Sequence, residues 1–143
     1  MLNARIDISH GLEGEPIVLA CFDLGTEQIA ASSHAVAAMA AERFRSISMS
    51  VDDVLELREL TALADELADP GAEPGMRTLV LRPARLSALR DSVARFVESR
   101  DEAEWMRDAD HEPLARVRGL LPALEDLCAD ALRAALAARE PTG

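Results

Sequence analysis

The chain has 143 residues, of which 49% are hydrophobic and 29% are charged, a composition typical of globular rather than disordered proteins. Its formal net charge of −11 disfavours nucleic acids and anionic membranes as partners, because both are bound through basic residues. All fifteen basic residues are Arg, a usage typical of GC-rich bacterial genomes. The lack of Lys excludes a Schiff-base lysine and the lysine of a phosphate-binding loop.

The two cysteines, Cys21 and Cys128, lie within apolar runs, as is typical of buried thiols in a reducing compartment. The apolar run at 17–22 is too short to cross a bilayer, and residues 1–10 do not have the pattern of a signal peptide. We therefore expect a cytoplasmic protein, and its length predicts one domain over 1–143.

The N-terminus has the pattern of a β-hairpin over 1–23. Apolar and polar residues alternate through 2–9, which predicts a strand with one buried face. A loop with two glycines and Pro16 follows. The continuous apolar run 17–22 then predicts a central strand that is buried on both faces.

Helical patterns fill most of the remaining chain. A helix is predicted over 26–45, where apolar residues recur at helical spacing. Strand-then-helix units of similar pattern are predicted over 46–68 and 76–98. A C-terminal helix is predicted over 112–139, which Gly119 and Pro122 are expected to kink or divide.

The apolar stripes of these helices predict the core, with Phe96 as its anchor. The inward positions are Ile29, Ser33, Val36, Ala37, Ala40 and Phe44 in the first helix; Val54, Leu57, Leu60, Thr61, Ala64 and Leu67 in the second; Leu86, Leu89, Val93, Phe96 and Val97 in the third; and Leu114, Val117, Leu121, Leu124, Cys128, Ala131, Leu132 and Ala135 in the last.

Together these segments predict an α+β domain with the order β-β-α-β-α-β-α-α. The expected architecture has two layers, a mainly antiparallel sheet of about four strands with the helices on one face. Residues 99–113 have the weakest pattern, and a short helix over 101–108 and a break at Pro113 are expected there. The sequence leaves the order of the strands open.

Charge is segregated between the two strand-helix units. Residues 52–73 contain eight carboxylates and one Arg, whereas 77–95 contain five Arg and one carboxylate. Helices of opposite charge can pair within the chain or across the twofold axis of a dimer. The alternative is that both helices present solvated faces, whose exposed ion pairs contribute little.

Arg77, Arg82 and Arg85 are the candidate ligand-binding residues. Arg82 and Arg85 flank Pro83 at the predicted start of the third helix, where guanidinium groups and free N–H groups favour a phosphate or carboxylate. Arg77 would add a third donor. The alternative is that they are surface arginines, because no glycine-rich loop accompanies them.

The stretch 101–112 is rich in carboxylates, and an ion site formed by Asp108, Asp110, His111 and Glu112 is one interpretation of it. Its spacing matches no known metal-binding loop, so a charged connector is the simpler interpretation. We therefore predict no metal, no cofactor and no catalytic residue.

Two other side chains have alternative interpretations. His34 is a candidate polar group of a pocket, although no Gly-x-Ser-x-Gly nucleophile motif accompanies it. Trp105, the single tryptophan, either covers the core or is exposed as an anchor for a partner, and the first interpretation is favoured.

The sequence favours a small, acidic, non-catalytic protein-interaction module that forms a homodimer. Ala-rich helix faces, more apolar stripes than one thin sheet covers and the charge segregation support this function. A basic protein is a second candidate partner, because the chain is so acidic. The alternative is a small-ligand (anion)-binding or enzymatic domain with a pocket between sheet and helices, near Arg82 and Arg85 or near His34.

Overall fold

The described residues of the protein form an α+β structure of three strands and four helices, which confirms the predicted class. The computed structural model describes residues 3–46, 50–67 and 75–139. Its elements are β1 (Ala4–His10), β2 (Pro16–Gly25), α1 (Thr26–Ser46), α2 (Val51–Leu67), β3 (Met76–Leu81), α3 (Pro83–Glu102) and α4 (Asp108–Arg139).

The strands form one antiparallel sheet in the order β1-β2-β3. β1 and β2 form a hairpin in which Ile6 pairs with Ala20, and β3 adds to the other side of β2 by pairing Leu79 with Phe22. The hairpin loop contains Gly14, whose φ of 81° is accessible to glycine without strain.

A fourth strand over 46–49 is not confirmed. Ser46 is the last residue of α1, and 47–49 lie outside the described residues. The described part of the second predicted unit is therefore a helix alone, α2. Its start is capped by Ser50, whose Oγ accepts the backbone N–H of Asp53 at 3.1 Å.

The core lies between one face of the sheet and the helices. The sheet contributes Ala20, Phe22, Leu24, Leu79 and Leu81, all of them buried. The predicted stripe of α3 packs in this core, and its members Leu86, Leu89, Val93 and Phe96 are fully buried. The α3 stripe is confirmed because each member faces the sheet or a neighbouring helix.

Helix α1 lies at the centre of the helical layer and contacts α2, α3 and α4. Its buried residues include Ala31, Ser32 and Ala35, whose small side chains allow the neighbouring helices to approach closely. Phe44 was predicted to face inward but is 64% exposed, because it lies on the last turn of α1, where the core ends.

Helix α2 packs mainly on α1 and makes fewer contacts with α3. Leu60, Leu63 and Leu67 are buried, whereas the predicted inward positions Val54 and Thr61 are exposed. The prediction fails there because no neighbouring element among the described residues covers these two positions.

Helix α4 begins at Asp108, earlier than predicted, and continues through Pro113 and Pro122. The expected short helix over 101–108 is absent from the described residues, since α3 extends to Glu102 and 103–107 link it to α4. In the C-terminal half of α4, Leu127 is buried and the predicted Leu132 is exposed.

Replacing Phe96 with Ala is expected to lower the free energy of unfolding by about 3–5 kcal/mol, because the ring is fully buried and the change leaves a cavity. Urea unfolding followed by circular dichroism measures this. Phe44→Ala is the matched control and should change stability by less than about 0.5–1 kcal/mol, since its ring is exposed. Equal losses for the two variants would contradict this description of the core.

Candidate functional site

A network of four polar side chains joins α1, α3 and α4. His34 Nε2 lies 2.6 Å from Asp110 Oδ1, and Arg100 Nε donates to Asp110 Oδ2 at 3.0 Å. Arg100 also donates to Glu42 Oε1 at 2.9 Å. Because an ionised carboxylate only accepts hydrogen bonds, His34 Nε2 carries the proton that it shares with Asp110.

Phe96 supports this network from the core. The His34 ring meets the Phe96 ring edge to face, with 5.8 Å between the centroids. The guanidinium carbon of Arg100 lies 4.8 Å from the centre of the same ring. These contacts fix the orientation of both polar groups relative to Asp110.

The electrostatics of the network favour the charged forms of Asp110 and Arg100. Burial would raise the pKa of Asp110, but the hydrogen bonds from His34 and Arg100 outweigh it, so that the pKa lies below its ordinary value. Burial would likewise lower the pKa of Arg100, but Glu42 and Asp110 raise it above the ordinary value. The sequence placed Asp110 in a charged connector and gave no signal of this burial.

The network forms one wall of a pocket of about 440 Å³, which we call the His34 pocket. Trp105 also lines it and is 76% exposed, so the interpretation as a core-covering residue is wrong. Arg45 and Arg107 complete its basic side, and neither forms an ion pair within the described residues. The pocket lies between α1 and the link from α3 to α4, rather than between sheet and helices.

A groove of about 540 Å³ lies between α2 and α3, with α1 beneath it; we call it the acidic groove. Six carboxylates and two guanidinium groups line it. Its apolar floor includes Met39, Leu60 and Ala88. Four of these carboxylates are ion-paired: Glu42 with Arg100, Glu56 with Arg43, Glu59 with Arg85 and Asp91 with Arg90. Glu98 and Glu102 form no ion pair within the described residues.

The three predicted ligand-binding arginines lie near the carboxylates of α2. Arg85 donates to Glu66 Oε2 at 2.8 Å and Glu59 Oε2 at 3.4 Å, while Arg77 donates to the Glu66 carbonyl at 3.3 Å. Arg82 and Arg85 share a cavity of about 350 Å³ with Glu66. An anion there would compete with Glu66, and a ligand-binding role for the three arginines stays a prediction.

The segregated charges pair in part within the chain. Besides Arg85 with Glu59 and Glu66, Arg43 of α1 bonds Asp53 at 2.6 Å and Glu56 at 3.1 Å. The acidic helix α2 is thus held against both α1 and α3. The described residues contain no group of three His, Cys, Asp or Glu side chains that could hold a metal ion.

The face of the sheet opposite the helices, here called the outer face, carries apolar side chains. Ile17, Leu19 and Cys21 of β2 lie on it, next to Val80 and Met76 of β3. Cys21 is buried, Ile17 and Leu19 are half-buried, and Val80 and Met76 are 49% and 69% exposed. Burial among the neighbouring side chains raises the pKa of the Cys21 thiol, which is therefore an apolar, protonated group on this face.

Replacing Asp110 with Asn is expected to lower the free energy of unfolding at neutral pH by about 1.5–3 kcal/mol, because the partly buried Arg100 loses its charged partner in the core. The folded-state pKa of Asp110 lies below its unfolded value of about 3.9. The carboxylate therefore stabilises the folded protein to its full extent above that pH. This stabilisation is lost as the pH falls through the lower, folded-state pKa of Asp110. Urea unfolding should therefore show a smaller difference in the free energy of unfolding between wild type and Asp110→Asn near pH 3 than at pH 7.

Asp108→Asn is the matched control, because Asp108 lies in the same first turn of α4 but is exposed. It should change stability by less than about 0.5–1 kcal/mol at either pH. A loss as large as that of Asp110→Asn would mean that the helix dipole, and not the network, is responsible.

Within the described ranges, no helix combines the length and the apolar composition needed to cross a membrane. The sequence matches no protein-family model, and no curated protein or solved structure gives a significant match. Function is therefore inferred from the geometry and chemistry of this chain.

Proposed function

We propose that this protein is a non-catalytic, acidic protein-interaction module that acts as a homodimer, with the outer face of the sheet as the contact between two copies. The observation that carries the proposal is the central strand β2. Its sequence is apolar on both faces, as in strands that are buried on both sides, but the described helices bury one face only. A second copy of the chain would bury the other face of β2.

The charge of the outer face supports a second copy of this chain as the partner that covers it. The whole chain carries −11, so two copies repel each other through most of their surface. On the outer face Arg5 bonds Asp7 at 3.1 Å, and these charges offset each other beside the apolar residues. Asp23 lies on the same face and is hydrogen-bonded to the neutral side chains of Asn3 and Thr78, so it leaves one negative charge per copy. A carboxylate of this kind can stay at the rim of an isologous sheet-on-sheet contact formed by the apolar residues.

The free thiols of Cys21 and Cys128 fit a reducing compartment, in keeping with a cytoplasmic protein.

Light scattering during gel filtration is expected to give twice the monomer mass of 15.4 kDa for the wild-type protein. Leu19→Glu should raise the dimer dissociation constant by more than about tenfold, because it places an unpaired carboxylate in the contact on each copy. Added salt should not separate the copies, since it weakens their mutual repulsion.

Leu132→Glu is the matched control, because it adds the same charge at an exposed leucine of α4, away from the sheet. It should leave the dimer unchanged. A monomeric wild-type protein, or equal dissociation by the two variants, would contradict the proposed contact.

A second candidate function is the binding of a small anion in the His34 pocket. One observation favours it: Arg45 and Arg107 line the pocket without an ion pair in the described chain, next to the exposed ring of Trp105. A ligand with a carboxylate or phosphate and a flat ring would match guanidinium groups and an indole face. His34 and Asp110 would position these groups rather than react.

Trp105 is the only tryptophan, so its fluorescence reports directly on this pocket. Titration with aromatic carboxylates and nucleoside monophosphates should change the emission saturably. Arg107→Gln should weaken binding by about tenfold or more, because a hydrogen bond to a charged group contributes about 1.5–3 kcal/mol. Arg133→Gln, on an exposed face of α4, is the control. If none of these anions changes the fluorescence of Trp105, this candidate function is ruled out.

A further inference from the structure

We propose that the free edge of β1 is a further contact between copies of this chain, through which two three-stranded sheets join into one continuous antiparallel sheet. β1 lies at an edge of the sheet, and no strand among the described residues pairs with its other side. This contact is separate from the outer face, because it uses the rim of the sheet and leaves that face uncovered. Both contacts can therefore form at the same time.

The backbone of β1 presents hydrogen-bonding groups along this edge at every second residue. Asn3 O accepts the backbone N–H of Asp23 at 3.0 Å, and β1 continues beside β2 in one unbroken register. In an antiparallel pair only alternate residues bond the neighbouring strand, so the odd-numbered residues of β1 bond β2. Ala4, Ile6 and Ile8 therefore direct N–H and C=O away from β2, towards an edge that the described chain leaves open.

The sequence of β1 is complementary to itself in the antiparallel direction. A twofold axis through Ile6 places Ala4 opposite Ile8 of the second copy, and Arg5 opposite its Asp7. The even-numbered residues then form the hydrogen-bonded pairs, as their outward groups require. Each guanidinium group meets a carboxylate across the axis, in addition to the 3.1 Å bond between Arg5 and Asp7 within one copy. An axis through Arg5 or Asp7 would instead place like charges opposite each other, so charge selects the register centred on Ile6.

The position of α4 leaves room for the second copy. α4 packs mainly on β2 and less on β1, and Ile8, on the helix side of β1, is 47% exposed. Strands lie about 4.8 Å apart, so an α4 helix above β2 is roughly 7 Å from the twofold axis and roughly 14 Å from its copy. Helices in contact are about 8–10 Å apart, so the two α4 helices do not collide. The half-buried Ile6 and the exposed Ile8 would be covered by the second copy.

The edge contact is expected to be weak, because a strand of seven residues buries little surface. Sedimentation equilibrium should therefore show the mass doubling as the protein concentration approaches about 1 mM, where small, transient contacts form. The doubling is measured from the mass of the dilute protein. A failure of the outer-face contact would change that starting mass and leave this test intact.

Replacing Ile8 with Pro is expected to weaken this association at least about tenfold relative to Ile8→Ala, because proline has no N–H to donate to the second copy. The N–H of Ile8 points away from β2, so the bonds between β1 and β2 are retained in both variants. Ile8→Ala is the matched control, since it also removes the isoleucine side chain but keeps the N–H. Circular dichroism of each variant establishes that the fold is retained.

A cysteine at the axis tests the register without proline. Residues opposite each other in a hydrogen-bonded pair have Cα atoms about 5.5 Å apart, within the range of about 4.4–6.8 Å that a disulfide spans. Under mild oxidation, Ile6→Cys should therefore form a covalent dimer, resolved on a non-reducing gel. Ile8→Cys is the control, because its two copies would be roughly 13 Å apart in this register. Wild type gives the background from Cys21 and Cys128.

The proposal is overturned if the mass does not change up to about 1 mM, or if Ile8→Pro associates as well as Ile8→Ala. It is also overturned if Ile6→Cys forms no more covalent dimer than Ile8→Cys, because equal cross-linking would reflect random collision. If Ile8→Pro does not fold, the two cysteine variants decide the outcome.

Discussion

The close packing of α1 against three other helices is the constraint on which the rest of the structure depends. Ala31, Ser32 and Ala35 are small enough to bring the neighbouring helices near its axis. Helix α1 contacts α3, α4 and the strand β2, whereas α2 packs mainly on α1. The acidic groove is the space that remains between α2 and α3. A larger residue at Ala35 would force these helices apart, because its site is already filled.

The surfaces that this arrangement creates differ in charge more than in shape. The acidic groove contains the unpaired carboxylates Glu98 and Glu102, the His34 pocket has an excess of guanidinium groups, and the outer face of the sheet combines apolar side chains with the carboxylate of Asp23. Glu42 contributes to both the groove and the pocket and is bonded to Arg100 between them. Occupation of one cavity would therefore alter the field in the other, since they share a charged pair.

Local patterns in the sequence predicted those parts of the fold that depend on periodicity. The stripe of α3 from Leu86 to Phe96 has regular helical spacing, and all of it is buried. The pattern failed for Phe44, because the length of a stripe does not reveal where the neighbouring elements end. Pro113 predicted a break, but the bonds of Asp110 to α1 and α3 hold the first turn of α4 and offset the lost backbone bond.

The candidate sites were less predictable, because they depend on contacts between distant parts of the chain. His34 and Asp110 are 76 residues apart, and no local signal connects them. Arg77, Arg82 and Arg85 were selected for their place near a helix start, but their environment depends on Glu59 and Glu66 of another helix. The acidic groove depends on where α2 lies relative to α3, which composition and spacing do not determine.

The connectivity of the sheet has a consequence for how the chain folds. β1 and β2 are joined by a short loop, but β3 reaches β2 only after the whole of α1 and α2. Closing this long loop is slow compared with forming the hairpin or the helices. During synthesis, the apolar strand β2 therefore emerges early and waits with an unpaired edge until β3 arrives. This interval is when a newly made chain is most exposed to aggregation and to capture by chaperones.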